Sequence, residues 1–351
     1  MADSGKRRYG IDLLRILSML GIVVLHILNS GGAINETYHL WFLNTIAYSS
    51  VNCFAMITGF LYVTKDRHYQ SLRKLLITTG IWCLLITVVF FTLGRSYVHG
   101  FSDIVYGLIP PLYWYGKTGG YWYLVSYVFL FMMIPYLNRV TSGMSKSQHK
   151  HFLIVLIVLA SIIPTVFLRD FFYFNEGYSP FWLIVCYYIG SYIKIYEEDI
   201  KLKKGFLILF LFCSAIVALL TKIVITELTN HFLGRTIADN QFITYISPFV
   251  LANSATMLLL LKNVNVSNRR IQAFIGSLSS AAFSVYIIHC NPLIFNNLIC
   301  DGFGWISNYN GFLQIAIVVA IAVAIYCVSY VLWFLFHIIE QLIGHQRNQT
   351  G

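Results

Sequence analysis

Residues 9–30 read Tyr-Gly-Ile-Asp-Leu-Leu-Arg-Ile-Leu-Ser-Met-Leu-Gly-Ile-Val-Val-Leu-His-Ile-Leu-Asn-Ser, an apolar run with Asp12, Arg15 and His26 inside it. About 20 such residues cross the hydrocarbon of a bilayer as a helix. An ionisable side chain there costs on the order of 2.5–3.5 kcal/mol on insertion scales, so it faces a protein interior or a wet cavity. Arg15 and His26 are eleven residues apart. At about 3.6 residues per turn that is nearly three turns, so both share one helix face, roughly 16 Å apart along the axis. Asp12, Ser18, Met19, Ile22 and Asn29 fall on or beside the same stripe. This polar stripe on a lipid-compatible helix is a candidate site. A histidine strut between helices and a snorkelling arginine are the structural alternatives.

Apolar runs of this kind recur through the chain, at 10–30, 40–63, 75–94, 121–138, 151–168, 179–196, 205–228, 242–261, 273–298 and 311–337. Only 11% of residues are charged, against about 25% in soluble domains. The expected fold class is therefore all-α: a polytopic integral membrane protein of about ten transmembrane helices. It forms a single module over 1–351 with its core at 9–340 and no appended soluble domain. With the amino terminus inside, eighteen lysines and arginines fall in cytoplasmic segments and four in outer ones, while Arg15 and Lys222 lie within spans. That asymmetry places both termini in the cytoplasm. It also accounts for the net charge of +10 without nucleic acid, because the basic residues sit between spans and form no patch. The first run is too long for a cleaved leader. The seven cysteines show no metal or disulfide spacing, and no metal is expected.

Three further clusters carry polar or aromatic chemistry. Phe54-Ala-Met-Ile-Thr-Gly-Phe60 precedes Lys65, Arg67, Arg73 and Lys74. Gly59 permits close helix packing, and the basic group serves either phosphate binding or plain orientation. Gly119-Gly-Tyr-Trp-Tyr-Leu124 opens the fourth span, as an interfacial anchor or a platform for a sugar ring. It ends the longest outer segment, 97–120, where Pro110, Pro111, Trp114 and Gly116 suit an interfacial or re-entrant piece. In the ninth span Ser279, Ala282, Tyr286 and His289 follow a 3-4-3 spacing on one face. Spans one and nine both start from the basic side. His26 and His289 are each about 16 residues in, or roughly 24 Å into a core about 30 Å thick. Two helices running the same way thus present histidines at one depth.

These residues together resemble the acyltransferase type 3 family of bacterial integral-membrane acyltransferases. The matching pieces are Gly10-Ile-Asp-Leu-Leu-Arg15 with ten residues to His26, Phe54-(x)4-Gly-Phe60, Ser71-Leu-Arg-Lys74, Trp122-Tyr-Leu124 and Ser284-Val-Tyr-Ile-Ile-His289. The resemblance implies ten membrane helices in the bacterial cytoplasmic membrane. It implies transfer of an acyl group, usually acetyl, from cytoplasmic acyl-CoA to a hydroxyl of a cell-surface or lipid-linked saccharide. Acetyl-CoA is then a co-substrate, and no cofactor is permanently bound. His26 matches the family's essential histidine, Arg15 its partner and Arg73 a loop arginine. Many members carry a histidine where this chain has Tyr121, a departure in the third motif.

On this reading Arg73, Lys74 and Arg15 hold the anionic donor at the cytoplasmic mouth. His26 is the general base or takes the acyl group itself, Asp12 fixes Arg15, and His289, Tyr286, Trp122 and Tyr123 shape the acceptor side. The rival is a transporter or flippase with a polar intramembrane site and no acyl chemistry. Against it stand the lack of repeat symmetry and of an evident pair of broken helices.

Overall fold

The computed structural model describes residues 7–34, 37–65, 69–94, 97–113, 120–235 and 240–349. Arg67, Trp114, Gly116 and Gly119 lie outside them. In chain order the helices are α1 Tyr9–Leu28, α2 Tyr38–Tyr62, α3 Tyr69–Leu93, α4 Phe101–Leu108, α5 Trp122–Ser142, α6 Lys146–Ile157, α7 Ile163–Val166 and α8 Pro180–Ile195. They continue as α9 Lys204–Leu233, α10 Pro248–Leu261, α11 Arg269–His289, α12 Pro292–Ile294 and α13 Phe312–Gln349. There is no strand among the described residues. Among the described residues eight helices are long and apolar enough to cross a membrane, with α6 and α7 joined as one through a π-helical turn at Val158–Ile162. The chain is thus an all-helical, multi-pass membrane protein.

The other two expected spans are shorter than their apolar runs. α8 has 16 residues and α10 has 14. The run at 242–261 becomes helical only at Pro248, where proline suits the first turn. Before it, residues 241–247 are non-helical and buried. Backbone of this kind survives at membrane depth only where protein satisfies its polar groups. Asn52 Nδ2 donates to the Tyr245 carbonyl at 2.9 Å, Ser161 Oγ to that of Ile246 at 2.5 Å, and Ser247 Oγ to that of Phe242 at 2.6 Å. Ser161 belongs to the π-turn that precedes Pro164, so one irregular segment supports the other.

The run at 273–298 is also not one helix. α11 ends at His289, and Asn291 then caps the short α12 by accepting from Leu293 N–H at 3.1 Å. Pro292 has no N–H to continue the ladder. The absence of broken helices, counted against a transporter from the sequence, therefore does not hold at this position. Between α3 and α5 lies the short helix α4, held where Asn291 Nδ2 donates to the Gly107 carbonyl at 3.0 Å.

The helices are graded from inside to outside. α1, α2 and α11 are mostly buried, whereas α9 and α13 expose apolar side chains such as Leu209, Phe212, Leu220, Val328 and Leu335. Such a surface suits lipid, in which apolar side chains need no burial. The centre is set by glycines at close crossings. A Cβ at Gly59 would lie 2.0 Å from the Tyr187 carbonyl oxygen, and one at Gly190 only 1.9 Å from that of Met56. α2 and α8 therefore meet backbone to backbone, as small residues allow in membranes.

Candidate functional site

Two polar contacts fix α1 against α11. Ser279 Oγ, midway along α11, donates to Asp12 Oδ1 in the first turn of α1 at 2.7 Å, and towards the ends of both helices His26 Nδ1 lies 3.1 Å from His289 Nε2. The helices therefore run parallel, and the equal depth expected of the two histidines becomes a direct contact.

Asp12 is a structural hub. Its buried carboxylate also pairs with Arg7 Nε at 2.6 Å and with Arg15 Nη1 at 3.4 Å, and Arg7 reaches the Gly276 carbonyl at 3.0 Å. The Asp12–Arg15 contact is an i,i+3 pair within α1. Arg15 itself is half-buried and does not line the cavity at His26. Arg73 and Lys74 are exposed at the start of α3 and form no ion pair among the described residues. A hollow of about 900 Å³ at the same end is lined by Arg7, Arg8, Lys201, Lys262 and Gln272, without Arg73 or Lys74. The three basic residues read as a donor clamp are thus not assembled around one hollow.

The histidine pair has a determinate proton arrangement when both rings are neutral. His289 Nδ1 lies 2.6 Å from the Val285 carbonyl oxygen, which only accepts. His289 therefore carries its proton on Nδ1, leaving Nε2 to accept from His26 Nδ1–H. His26 is then left with a lone pair on Nε2, by the logic in which one ring nitrogen's bond sets the other's role. This tautomer is inferred from the hydrogen-bond network. Cys290 Sγ sits beside the pair, 3.4 Å from His289 Nε2 and 3.7 Å from His26 Nδ1. His289 is buried, whereas His26 is partly open.

His26 opens onto a cavity of about 620 Å³ at the far end of α1 from Arg7, a volume in the range of small-molecule sites. Its walls are aromatic. Trp122 stacks on Tyr245 with centroids 5.8 Å apart and meets Tyr178 edge-on at 4.8 Å, while Tyr48 closes on Tyr245 at 5.1 Å. Tyr123 lies between Phe54 and Tyr286, at 6.4 and 6.2 Å. The Tyr123 hydroxyl is buried and has no hydrogen-bond partner among the described residues. Asn29, Ser30, Asn296 and Asp301 supply polar groups. The mouth is tied by Asp301 N–H to the Ser30 carbonyl at 2.9 Å and Phe303 N–H to that of Gly31 at 2.8 Å.

Tyr121, which stands where the resemblance leads one to expect histidine, precedes α5 in the left-handed region with φ 57°. Its hydroxyl donates to the Ile287 carbonyl at 2.5 Å, pinning α5 to α11. Gly120 beside it admits no side chain, because a Cβ would lie 2.3 Å from the Pro110 carbonyl oxygen.

Of the residues read from the sequence, His26, Tyr286, Trp122 and Tyr123 line this cavity, and His289 supports it from behind. Tyr48, Tyr178, Tyr245 and Cys290 were not foreseen. Tyr245 carried a legible signal, since Thr244, Ser247 and Pro248 mark a break in the apolar run. Tyr48 and Tyr178 carried none, being two of 24 tyrosines.

Comparison with known families matches residues 8–334 to a family model for an acyltransferase domain, the acyltransferase type 3 model. Neither a curated protein nor a solved structure matches the chain.

Proposed function

The chain belongs to the acyltransferase type 3 family, and from that premise we propose that it moves an acyl group, acetyl in the simplest case, from cytoplasmic acyl-CoA to a saccharide hydroxyl in the cavity at His26. The observation that carries this reading is the chain Val285 carbonyl, His289, His26, which leaves a lone pair on His26 Nε2. A hydroxyl is a weak nucleophile and needs a base positioned at its proton.

In the proposed reaction His26 Nε2 takes the proton of the acceptor hydroxyl as its oxygen attacks the thioester carbonyl. The tetrahedral intermediate then collapses, the carbon–sulfur bond breaks, and His26 returns the proton to the departing CoA thiolate. His289 accepts from His26 Nδ1–H throughout and so holds the ring in its working tautomer. The Tyr123 hydroxyl, buried without a hydrogen-bond partner among the described residues, is suited to donate to the oxygen on which negative charge develops. Trp122, Tyr178 and Tyr245 offer flat apolar faces of the kind a sugar ring stacks on. Both termini and the start of α1 are taken to be cytoplasmic, on the charge asymmetry. The donor would then enter from the end of Arg15, Arg73 and Lys74, and the acceptor from the opposite face.

The test is acyl transfer by purified protein supplied with acetyl-CoA and a panel of saccharide acceptors. His26→Ala should lose about 10²- to 10⁴-fold in turnover, the range of general acid–base catalysis. A variant that keeps more than about a tenth of turnover would remove His26 from the mechanism. A protein that moves saccharide across vesicles without consuming thioester would favour the transporter.

A further inference from the structure

The acyl-transfer reading uses the His26–His289 contact but gives no role to Cys290, whose Sγ lies beside both rings. The three potential ligand atoms of this cluster converge, with His26 Nδ1 and His289 Nε2 3.1 Å apart and Cys290 Sγ 3.7 and 3.4 Å from them. A tetrahedral zinc-class ion holds nitrogen at about 2.0–2.1 Å and sulfur at about 2.3 Å. Those bonds require edges of about 3.3 Å between two nitrogens and about 3.6 Å between nitrogen and sulfur. The observed triangle agrees to roughly the 0.2 Å that a plausible site demands. Two independent features complete the pattern. His289 gives its other ring N–H to the Val285 carbonyl at 2.6 Å, the outer partner that metal-bound histidines characteristically have. His26 also borders the 620 Å³ cavity, which supplies an entry path and room for a fourth ligand.

We propose that His26, His289 and Cys290 form a binding site for a soft, tetrahedral transition-metal ion of the zinc class, and that its occupation excludes His26 from acting as a base. Binding at His26 Nδ1 needs the lone pair there, so the ring proton moves to Nε2, the atom that would otherwise accept a proton from the hydroxyl. Cys290 binds as thiolate, so its thiol proton leaves to solvent. One proton is therefore released per ion, and no oxidant or reductant takes part. The ion is an inhibitor of the site and no part of the transfer reaction. The exclusion clause rests on the proposed function, whereas the binding clause stands without it.

The probe is Co²⁺ added to the chelator-stripped, detergent-purified full chain, followed by displacement with Zn²⁺. The expected result is release of one proton as Co²⁺ binds, with a near-ultraviolet thiolate-to-cobalt band and intense visible bands of a tetrahedral centre, which one equivalent of Zn²⁺ then bleaches without further proton release. Cys290→Ser preserves the packing but removes the soft ligand. It should abolish the thiolate band and weaken Zn²⁺ binding by more than the roughly 10- to 100-fold that loss of an outer partner causes. Cys300→Ser, at an exposed cysteine, should leave both unchanged. Absence of a thiolate band in the unaltered chain, or its persistence in Cys290→Ser, overturns the site. In the transfer assay stoichiometric Zn²⁺ should suppress turnover, and chelator should restore it. Full turnover with Zn²⁺ bound overturns the exclusion. The cobalt spectrum needs no acyl donor or acceptor, so a chain without acyltransferase activity would still report on the metal site.

Discussion

His26 and His289 stand in an order of dependence that substitutions can separate. His289 touches no cavity ligand in the proposed reaction and acts by accepting from His26 Nδ1–H. His289→Leu removes that acceptor and frees the His26 ring to take either tautomer, so turnover should fall with little change in the acceptor's KM. His289→Gln offers an amide oxygen at a similar place and should recover part of the loss. Equal damage from both variants would assign His289 a packing role instead. Tyr123 permits a complementary test. A buried hydroxyl without a partner costs about 1–3 kcal/mol, so Tyr123→Phe should leave the thermal midpoint unchanged or raise it. Turnover should nevertheless fall, because the hydroxyl is proposed to meet the developing oxyanion. A variant with a higher midpoint and full turnover would show that the hydroxyl has no part in the reaction.

At the scale of elements, the close crossing of α2 and α8 depends on two glycines facing backbone. Gly59→Ala or Gly190→Ala places a methyl about 2 Å from a carbonyl oxygen, and the helices must separate. Overpacking of this kind costs about 1–3 kcal/mol. Either variant should lower the thermal midpoint, whereas Gly205→Ala, with open space around its Cβ position, should not. An unchanged midpoint in Gly190→Ala would mean that the crossing is softer than its geometry indicates. The role of Gly59 was legible in the sequence because a small residue within an apolar helix has few other uses. The polar faces of α1 and α11 were legible for the same reason, as spacing alone aligns Arg15 with His26 and Ser279 with His289. What spacing did not show is where helices stop. Apolar composition extended the run at 273–298 across Pro292 and that at 242–261 across Pro248, because hydropathy averages over a single proline. The cavity wall was less legible still, since Tyr48, Tyr178 and Tyr245 meet only through long-range packing. Arg73 and Lys74 show the converse. Their charge was plain in sequence, but their exposure at the start of α3 came only with the fold.

For the whole molecule, sidedness and closure of the bundle are the remaining questions, and exposed side chains report on both. On the proposed topology, with both termini cytoplasmic, the cavity mouth faces outward, so an impermeant maleimide should label exposed Cys300 in intact cells and should not label Lys150→Cys. The reverse pattern would invert the topology. At the opposite end, Glu197 binds three helices together. Arg8, before α1, grips its carboxylate with both terminal nitrogens at 2.8 and 3.1 Å. Lys194, at the end of α8, adds a contact at 2.8 Å, and Lys262, just past α10, bonds the Glu197 carbonyl at 3.4 Å. Partial burial works against the charged carboxylate, but Arg8 and Lys194 prevail and bring its pKa down to about 2. A carboxyl whose folded pKa lies below its unfolded value binds fewer protons when folded, so it stabilises the fold above the unfolded value near 4.5. That contribution fades as pH falls from about 4.5 towards 2. Glu197→Gln should therefore lower the thermal midpoint at pH 7 relative to the unaltered chain, and the gap should narrow below pH 4.5 until the two coincide near pH 2. A gap that stays constant across this range would mean that Glu197 acts through shape and hydrogen bonding, and that its charge does not hold α1, α8 and α10 together.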